Sequence, residues 1–228
     1  MKITILSLFP EMFKGPFDES IIKRAKEKKL VDIQFMNIRD FGIGRHKIVD
    51  DTPYGGGPGM ILRVDVTAGA IENAKNPKLN KKEQKTYLLS PQGKVFDQKK
   101  AHELSKLKHL ILVCGHYEGI DGRVDKFIDG KISIGDFIVT GGEIPAMLIV
   151  DAVVRLIKGT LKEGVTASES FSSYNIEHPQ YTKPRIFKNL SVPEVLLSGN
   201  HKKIKEWKEK ESIEITGKVR PDLLKKGK

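Results

Sequence analysis

Glycine-bearing corners carry the first chemical signal in this chain. Residues 131–145 read KISIGDFIVTGGEIP. Residues 131–134 and 136–139 alternate apolar and polar, which predicts a short strand interrupted at Gly135 and stopped by Thr140-Gly141-Gly142. Glu143-Ile144-Pro145 then opens an apolar segment, AMLIVDAVVRLI, that predicts a buried helix over residues 146–157 with proline in its first turn. Such a junction leaves backbone N–H and C=O groups open to one small cleft, because glycine blocks nothing. Two further corners repeat the pattern. The strand expected at 86–90 ends in Pro91-Gln92-Gly93, and the apolar run 109–114, HLILVC, ends in Gly115-His116-Tyr117-Glu118-Gly119 with a helix expected near Ile120. Ligands of parallel sheets sit at the carboxyl ends of strands, so three such loops meeting there line a pocket with backbone. Taken singly, each is also an ordinary strand-turn-helix corner.

Other residues suggest different chemistry. Residues 39–60, RDFGIGRHKIVDDTPYGGGPGM, form a long loop, and long loops in compact domains are commonly functional or disordered. Its glycines resemble a phosphate loop, but no Lys-Ser or Lys-Thr follows, which argues against a nucleoside-triphosphate site. Arg45, His46 and Lys47, beside the bare backbone of Gly57 and Gly59, could grip a phosphodiester chain; a flexible surface loop with a solvated His46 is the plainer alternative. Asp50-Asp51 is more often a turn or cap than a metal site. Arg155, flanked by Val153, Val154, Leu156 and Ile157, needs an anionic partner, either a substrate or Asp151 one turn back. Cys114 reads as a packed core thiol.

The elements that must position these residues follow from periodicity. Strands are expected at 2–8 and 31–38 with an amphipathic helix at 19–30 between them, the order of a parallel α/β sheet. Phe-Pro-Glu-Met-Phe after the first strand is not a dinucleotide-binding glycine loop. Helices are expected at 64–74 and 97–104. Residues 159–175, rich in Gly, Ser and Thr, read as a linker, ordered only with a partner bound. Short helices are expected from about 191 to 197, 202 to 214 and 221 to 226, in a second small domain.

With 228 residues the chain can bury one good core and a smaller second one. Forty Lys and Arg against 29 Asp and Glu give a net charge of +11 and a pI near 9.5, which point to a polyanionic partner such as nucleic acid, or only to a lysine-rich solvated surface. Residues 176–228 carry +6 of that charge in under a quarter of the chain. One cysteine excludes an internal disulfide framework and a cysteine-built zinc site. The apolar run at residues 3–9 is too short for a signal peptide, and no segment is long and uncharged enough to cross a bilayer. The expectation is a soluble cytoplasmic protein.

The motifs SLFPEMF at the start, DDTPYGGGPGM at 50–60, SPQG at 90–93, CGHYEGID at 114–121, SIGDFIVTGGEIPA at 133–146 and the C-terminal PDLL together resemble the bacterial tRNA (guanine-N1)-methyltransferase (TrmD) family of the SPOUT superfamily. The resemblance spans nearly the whole chain. It implies an α/β fold, a parallel sheet with a trefoil knot plus a small helical C-terminal domain: residues 1–158 as the SPOUT cofactor-binding and catalytic domain, 159–175 as linker, 176–228 as a helical tRNA-binding domain. It implies S-adenosylmethionine bound in the knot against Leu88, Leu89, Ser90 and Gly93, against Gly115, Tyr117, Glu118 and Gly119, and against Ile134, Gly135, Phe137, Val139, Gly141, Gly142 and Pro145. The tyrosine common at the first of these positions is Leu88 here, a change that a backbone contact survives. Arg45, His46, Gly57 and Gly59 are the implied RNA contacts, and Glu118 an implied ligand of Mg²⁺. The implied partners are the anticodon stem-loop of tRNA and a second copy of the chain, with no membrane and no DNA.

The resemblance also implies the chemistry. Methyl transfer would go to N1 of the guanine just 3′ of the anticodon, with Arg155 facing O6 and Glu169 as the base that takes the N1 proton. Glu169 is a departure, because the family's base is usually aspartate directly before Ser-Phe; read without the family, it is one surface carboxylate among many. Two alternatives stand beside this reading: a SPOUT methyltransferase of another RNA, and a non-catalytic RNA-binding protein that keeps the knot as a scaffold.

Overall fold

The computed structural model describes residues 1–167, 169–172 and 174–226; Ser168, Ser173, Gly227 and Lys228, which fall in the expected linker and C-terminal domain, lie outside the described residues. The chain divides into two compact units, Met1–Leu161 and Lys162–Lys228.

In the first unit the apolar runs become β1 (Lys2–Ser7), β2 (Asp32–Asn37), a two-residue ribbon of β3 (Asp50–Asp51) and β4 (Ile61–Leu62), then β5 (Gln84–Val95), β6 (His109–Cys114) and β7 (Gly130–Ser133). The helices are α1 (Ser20–Glu27), α2 (Val64–Ala74), α3 (Gln98–Ser105) and α4 (Glu143–Val154). Five strands pair in parallel in the order β2-β1-β6-β5-β7, so this is an α/β protein with a parallel sheet. Strand β6 is central and buried along its whole length, as a strand covered on both faces must be. Its alternation divides the core in two. Leu110, Leu112 and Cys114 pack with Ile22 and Ala25 of α1, Leu104 of α3, and Ile149, Val150 and Val153 of α4. Ile111 and Val113 pack on the other face with Val66, Ala70 and Ile71 of α2.

Several expectations need correction. Strand β5 does not end at Ser90: its pairing with β7 breaks after Leu89 and resumes at Lys94 opposite Ile132 and Val95 opposite Ser133, so Pro91-Gln92-Gly93 is a bulge within the strand. Strand β7 stops at Ser133, and residues 136–139 are not a strand. The Ser133 hydroxyl donates to the Gly135 carbonyl at 3.1 Å and accepts from the Gly135 N–H at 3.2 Å, a local alternative to the ladder. Helix α4 runs from Glu143 to Val154, so Arg155 is its C-cap residue and not an interior helical arginine. The helix expected near Ile120 is a 3-10 turn, Gly122–Lys126, capped by the Asp121 side chain accepting from the Arg123 N–H. The long loop carries a 3-10 turn, Ile38–Phe41, the β3 segment and a bridge between Ile43 and Ile48.

The second unit contains a hairpin of β8 (Ile186–Phe187) and β9 (Leu190–Ser191), then α5 (Glu194–Leu197), α6 (His201–Val219) and α7 (Pro221–Lys226). Lys188 and Asn189 at the hairpin tip both have positive φ, the mirror-image turn that matches strand twist. Helix α6 starts where the Asn200 side chain accepts from the Lys203 N–H. The stretch before it is fastened to this helix: Asn175 Nδ2 donates to Ser212 Oγ at 2.7 Å, and the Ile176 N–H donates to Thr216 Oγ1 at 2.9 Å.

One buried side chain ties three strands of the first unit together. His109 of β6 is 1% exposed; its Nε2 lies 2.9 Å from Thr4 Oγ1 of β1 and its Nδ1 2.7 Å from Gln84 Oε1 of β5. Burial first, and then the nearby Lys2 charge, push its pKa down from 6.5 to about 4, against the opposing pull of Asp32. The folded state therefore holds a neutral ring, while the unfolded chain takes up a proton below pH 6.5. The associated stability is fully present above pH 6.5 and is lost as pH falls toward 4. Relative to His109→Gln, the wild type is expected to lose roughly 2–3 kcal/mol between pH 7.5 and 4.5. Urea denaturation of both proteins across that range measures this, and parallel stability curves would count against it.

Candidate active site

The bulged middle of β5 and the loops at the carboxyl ends of β6 and β7 surround a cavity of about 710 Å³, within the size range of small-molecule sites. Leu88, Leu89 and Ser90 line it from β5. Gly115, Tyr117, Glu118 and Gly119 line it from the loop after β6. Ile134, Gly135, Phe137, Val139, Gly141, Gly142 and Pro145 line it from the segment between β7 and the first turn of α4. Phe137, Ile138 and Tyr117 stay exposed, which explains why residues 136–139 look like a strand in sequence: they are apolar for the sake of a cavity wall, not a core.

Gly93 is the exception. It lines a separate cleft along the β5–β7 edge, with Lys94, Lys100 and Asp129 among its neighbours. A Cβ at Gly93 would lie 2.5 Å from the backbone of Ile132, so glycine is needed there to let the β5 bulge rejoin β7. Gly142 has a similar task between loops. Its N–H donates to the Gly115 carbonyl at 2.8 Å, and a Cβ on it would lie 2.6 Å from Cys114 Cα. The third corner is thereby pressed against the second.

The long loop reaches the same place by one end. The Glu118 N–H donates to the Met60 carbonyl at 3.1 Å, the Leu62 N–H to the Gly119 carbonyl at 2.9 Å, and the Asp121 N–H to the Leu62 carbonyl at 3.0 Å. Gly59 consequently abuts the Glu118 side chain. Arg45 and His46 lie on the exposed turn between Ile43 and Ile48, and Gly57 is exposed as well. Lys47 pairs with Asp40, and Asp51 with Arg63, which also holds Asp65. Asp51 thus serves an ion pair. Among the described residues no group of three or more His, Cys, Asp or Glu comes together as metal ligands, so Glu118 has no such companions there.

Arg155 and Glu169 belong to different units, Arg155 at the end of α4 and Glu169 in the second unit, where its carbonyl accepts from the Ser172 N–H at 3.1 Å. Cys114 is buried, and its thiol is pushed well up in pKa by that burial and by the negative charge of Glu143, as befits an inert core thiol. Two polar residues escaped sequence reasoning, His116 in the second corner and Glu143 at the start of α4. Glu143 is 1% exposed, with Ser7 Oγ donating to it at 2.6 Å. A carboxylate opening a helix looks like an ordinary dipole-compensating residue, and nothing in the sequence marks this one as buried. No described helix is long and apolar enough to cross a membrane.

A parallel sheet with a cavity lined by glycine and apolar residues beside its strand ends is the arrangement in which α/β proteins hold small molecules. Comparison with known proteins narrows this. The family model for tRNA (Guanine-1)-methyltransferase TrmD matches residues 1–226, and the chain belongs to that family. It is 56% identical over 227 residues to the tRNA (guanine-N(1)-)-methyltransferase of Carboxydothermus hydrogenoformans, covering 99% of this chain and 88% of that protein. The proteins of the same name from Caldanaerobacter subterraneus and Dictyoglomus turgidum are 53% and 52% identical, again over 99% of this chain and over 92% and 91% of theirs.

The placement of Gly93 has a measurable consequence. Gly93→Ala forces a side chain into the backbone of β7, which cannot yield as a flexible side chain would. It should lower stability by about 1–3 kcal/mol through overpacking. Chemical denaturation measures this, and an unchanged midpoint would show that the bulge relaxes freely.

Proposed function

We propose that the chain transfers a methyl group from S-adenosylmethionine to N1 of the guanine immediately 3′ of the anticodon in tRNA. The observation that carries this reading is the match of the whole chain to relatives so named, together with a cavity whose lining includes every residue the sequence assigned to the cofactor except Gly93. The donor set fits the cofactor: backbone polar groups of glycine corners suit an adenine edge, and Ile134, Phe137 and Val139 offer apolar walls. The alternatives, another RNA substrate or a non-catalytic scaffold, have no observation in their favour. We also propose, on the resemblance, that the loops after β5, β6 and β7 form a trefoil knot, that residues 176–228 grip tRNA, and that Arg45, His46, Gly57 and Gly59 contact it.

When bound, S-adenosylmethionine would supply an electrophilic sulfonium methyl, with the thioether as leaving group. The rest falls to the chain. Guanine N1 carries a proton at neutral pH and is a poor nucleophile until a base removes it. Glu169 takes that proton on its carboxylate, and the freed pair on N1 forms the new N–C bond. Arg155 faces O6, where negative charge gathers as the proton leaves. The glycine corners hold the reacting groups in line, which is the larger part of what a methyl transfer needs. Among the described residues Glu118 belongs to no group of three or more His, Cys, Asp or Glu that could hold Mg²⁺, and no step here depends on the ion.

A second copy of the chain completes the proposal. Ile144 and Leu148 lie one turn apart on α4 and are each about half exposed, an apolar face beside the cavity that suits a homodimer. Leu148→Glu should shift sedimentation toward monomer and lower activity with it. An active monomer would remove the dimer from the mechanism.

Glutamate in place of aspartate tests the chemistry. The two side chains ordinarily titrate at about 4.3 and 3.9, so basicity is not what distinguishes them. Reach is the difference. Glu169→Gln should slow single-turnover methylation by about 10³-fold, the scale of a lost general base, while leaving cofactor binding intact. Glu169→Asp should retain appreciable activity. Nucleoside mass spectrometry of tRNA after incubation with the cofactor reads product and position together. A wild-type rate in Glu169→Gln would place the base elsewhere.

A further inference from the structure

The buried carboxylate of Glu143 and the second corner are linked by a chain of polar contacts that the proposed chemistry does not use. The Phe9 N–H donates to Ser7 Oγ at 2.8 Å, and Ser7 Oγ donates in turn to Glu143 Oε1 at 2.6 Å. The other carboxylate oxygen, Oε2, borders the space that a Cβ on Gly141 would fill. His116 Nδ1 borders the same space, 2.9 Å from that Cβ position, as does the Gly115 carbonyl at 3.5 Å. Because residue 141 is glycine, it places no side chain of its own in that space. His116 Nδ1 is buried and has no hydrogen-bond partner among the described residues. The ring is held in place from both sides: Phe9 packs on it with centroids 4.8 Å apart at 58°, and Tyr117 meets it edge-on, also at 4.8 Å. The circuit closes, since Phe9 supplies both the first N–H and one wall of the imidazole.

A buried imidazole nitrogen without a partner is costly, and the neighbouring carboxylate oxygen is an acceptor that can relieve that cost. We infer that Glu143 is a positioning residue: it accepts the Nδ1 proton of His116 across the Gly141 gap and so fixes the imidazole in one tautomer at the cavity wall. His116 lines that cavity, and with Nδ1 protonated its Nε2 is a hydrogen-bond acceptor. The wall then accepts from a donor group of the bound ligand, a ribose hydroxyl or an amino group. An amide in place of the carboxylate can present its own N–H to Nδ1, which drives the ring into the opposite tautomer, with Nε2 a donor. The part of this inference that concerns ligand binding rests on the proposed use of S-adenosylmethionine; the part that concerns the tautomer does not.

The experiment uses the full chain labelled with ¹⁵N histidine, at pH 8, with long-range ¹H–¹⁵N correlation to show which ring nitrogen carries the proton. Loss of one pattern in His116→Gln assigns the signal among the six histidines. Wild-type protein and Ser7→Ala should both show His116 protonated on Nδ1, because Ser7→Ala leaves the carboxylate in place. Glu143→Gln should move the proton to Nε2 and weaken S-adenosylmethionine binding by about tenfold in calorimetry. A wild-type His116 protonated on Nε2 overturns the inference, whether or not Glu143→Gln folds. So does a Glu143→Gln protein with the wild-type tautomer and affinity. A wild type that shows the Nδ1 tautomer but binds no S-adenosylmethionine would instead defeat the proposed function and leave the tautomer assignment standing.

Discussion

Backbone pressed against backbone, at spacings no side chain permits, is the constraint on which the first unit depends. Gly142 lies against the end of β6 so closely that its N–H reaches the Gly115 carbonyl at 2.8 Å, and Gly93 lies as closely against β7. The two contacts have different consequences. Gly93 settles the sheet, by letting β5 leave its partner for four residues and return to it. Gly142 settles the cavity, by bringing the third corner onto the second and fixing where α4 begins. An alanine at either place would move a strand end, and the cavity is made of strand ends.

The parts of the fold legible in the sequence are those governed by one local rule. Helix α2 and strand β6 occupy the residues that periodicity assigns them, because an apolar stripe or an unbroken apolar run has few other ways to be buried. The errors cluster around the cavity. Pro91-Gln92-Gly93 has turn chemistry and was expected to end a strand, yet β5 continues past it, since resumed pairing with β7 is a tertiary fact. Residues 136–139 have strand chemistry and form none, since Phe137 and Val139 are apolar to face a cavity. Where a sequence breaks the expectation of its own pattern, function is a common cause.

The site was legible to a different depth. Glycines after β6 and β7 mark the cavity from physics alone, while the glycine of the first corner lies within β5 and does not line it. The proposed ligand, and the proposed roles of Arg155 and Glu169, came only through resemblance, because a lone arginine and a lone carboxylate carry no signature. Gly93, within the motif that the resemblance assigns to the cofactor, has a packing reason of its own to be glycine, since a Cβ there would meet the backbone of β7. His116 and Glu143 were invisible to both approaches. Their relation exists only through Gly141, a residue whose contribution is the side chain it lacks.

Charge and cavity then divide the work of recognition. Lys and Arg are densest in residues 176–228, and contacts from such residues to phosphates supply affinity without reading sequence. Helix α6 carries six lysines, yet four glutamates are interleaved with them, and Lys218 is already paired with Glu214 at 2.7 Å. Under the proposed function, such a surface would hold an RNA backbone without the indiscriminate grip of a purely basic one. Under the same proposal, choice of the guanine would fall to groups that meet its edge, since contacts to phosphates carry no sequence information. The cavity lining holds one lysine, Lys131, tied to Asp125, so the net charge of +11 is carried almost wholly outside the cavity proposed for the cofactor.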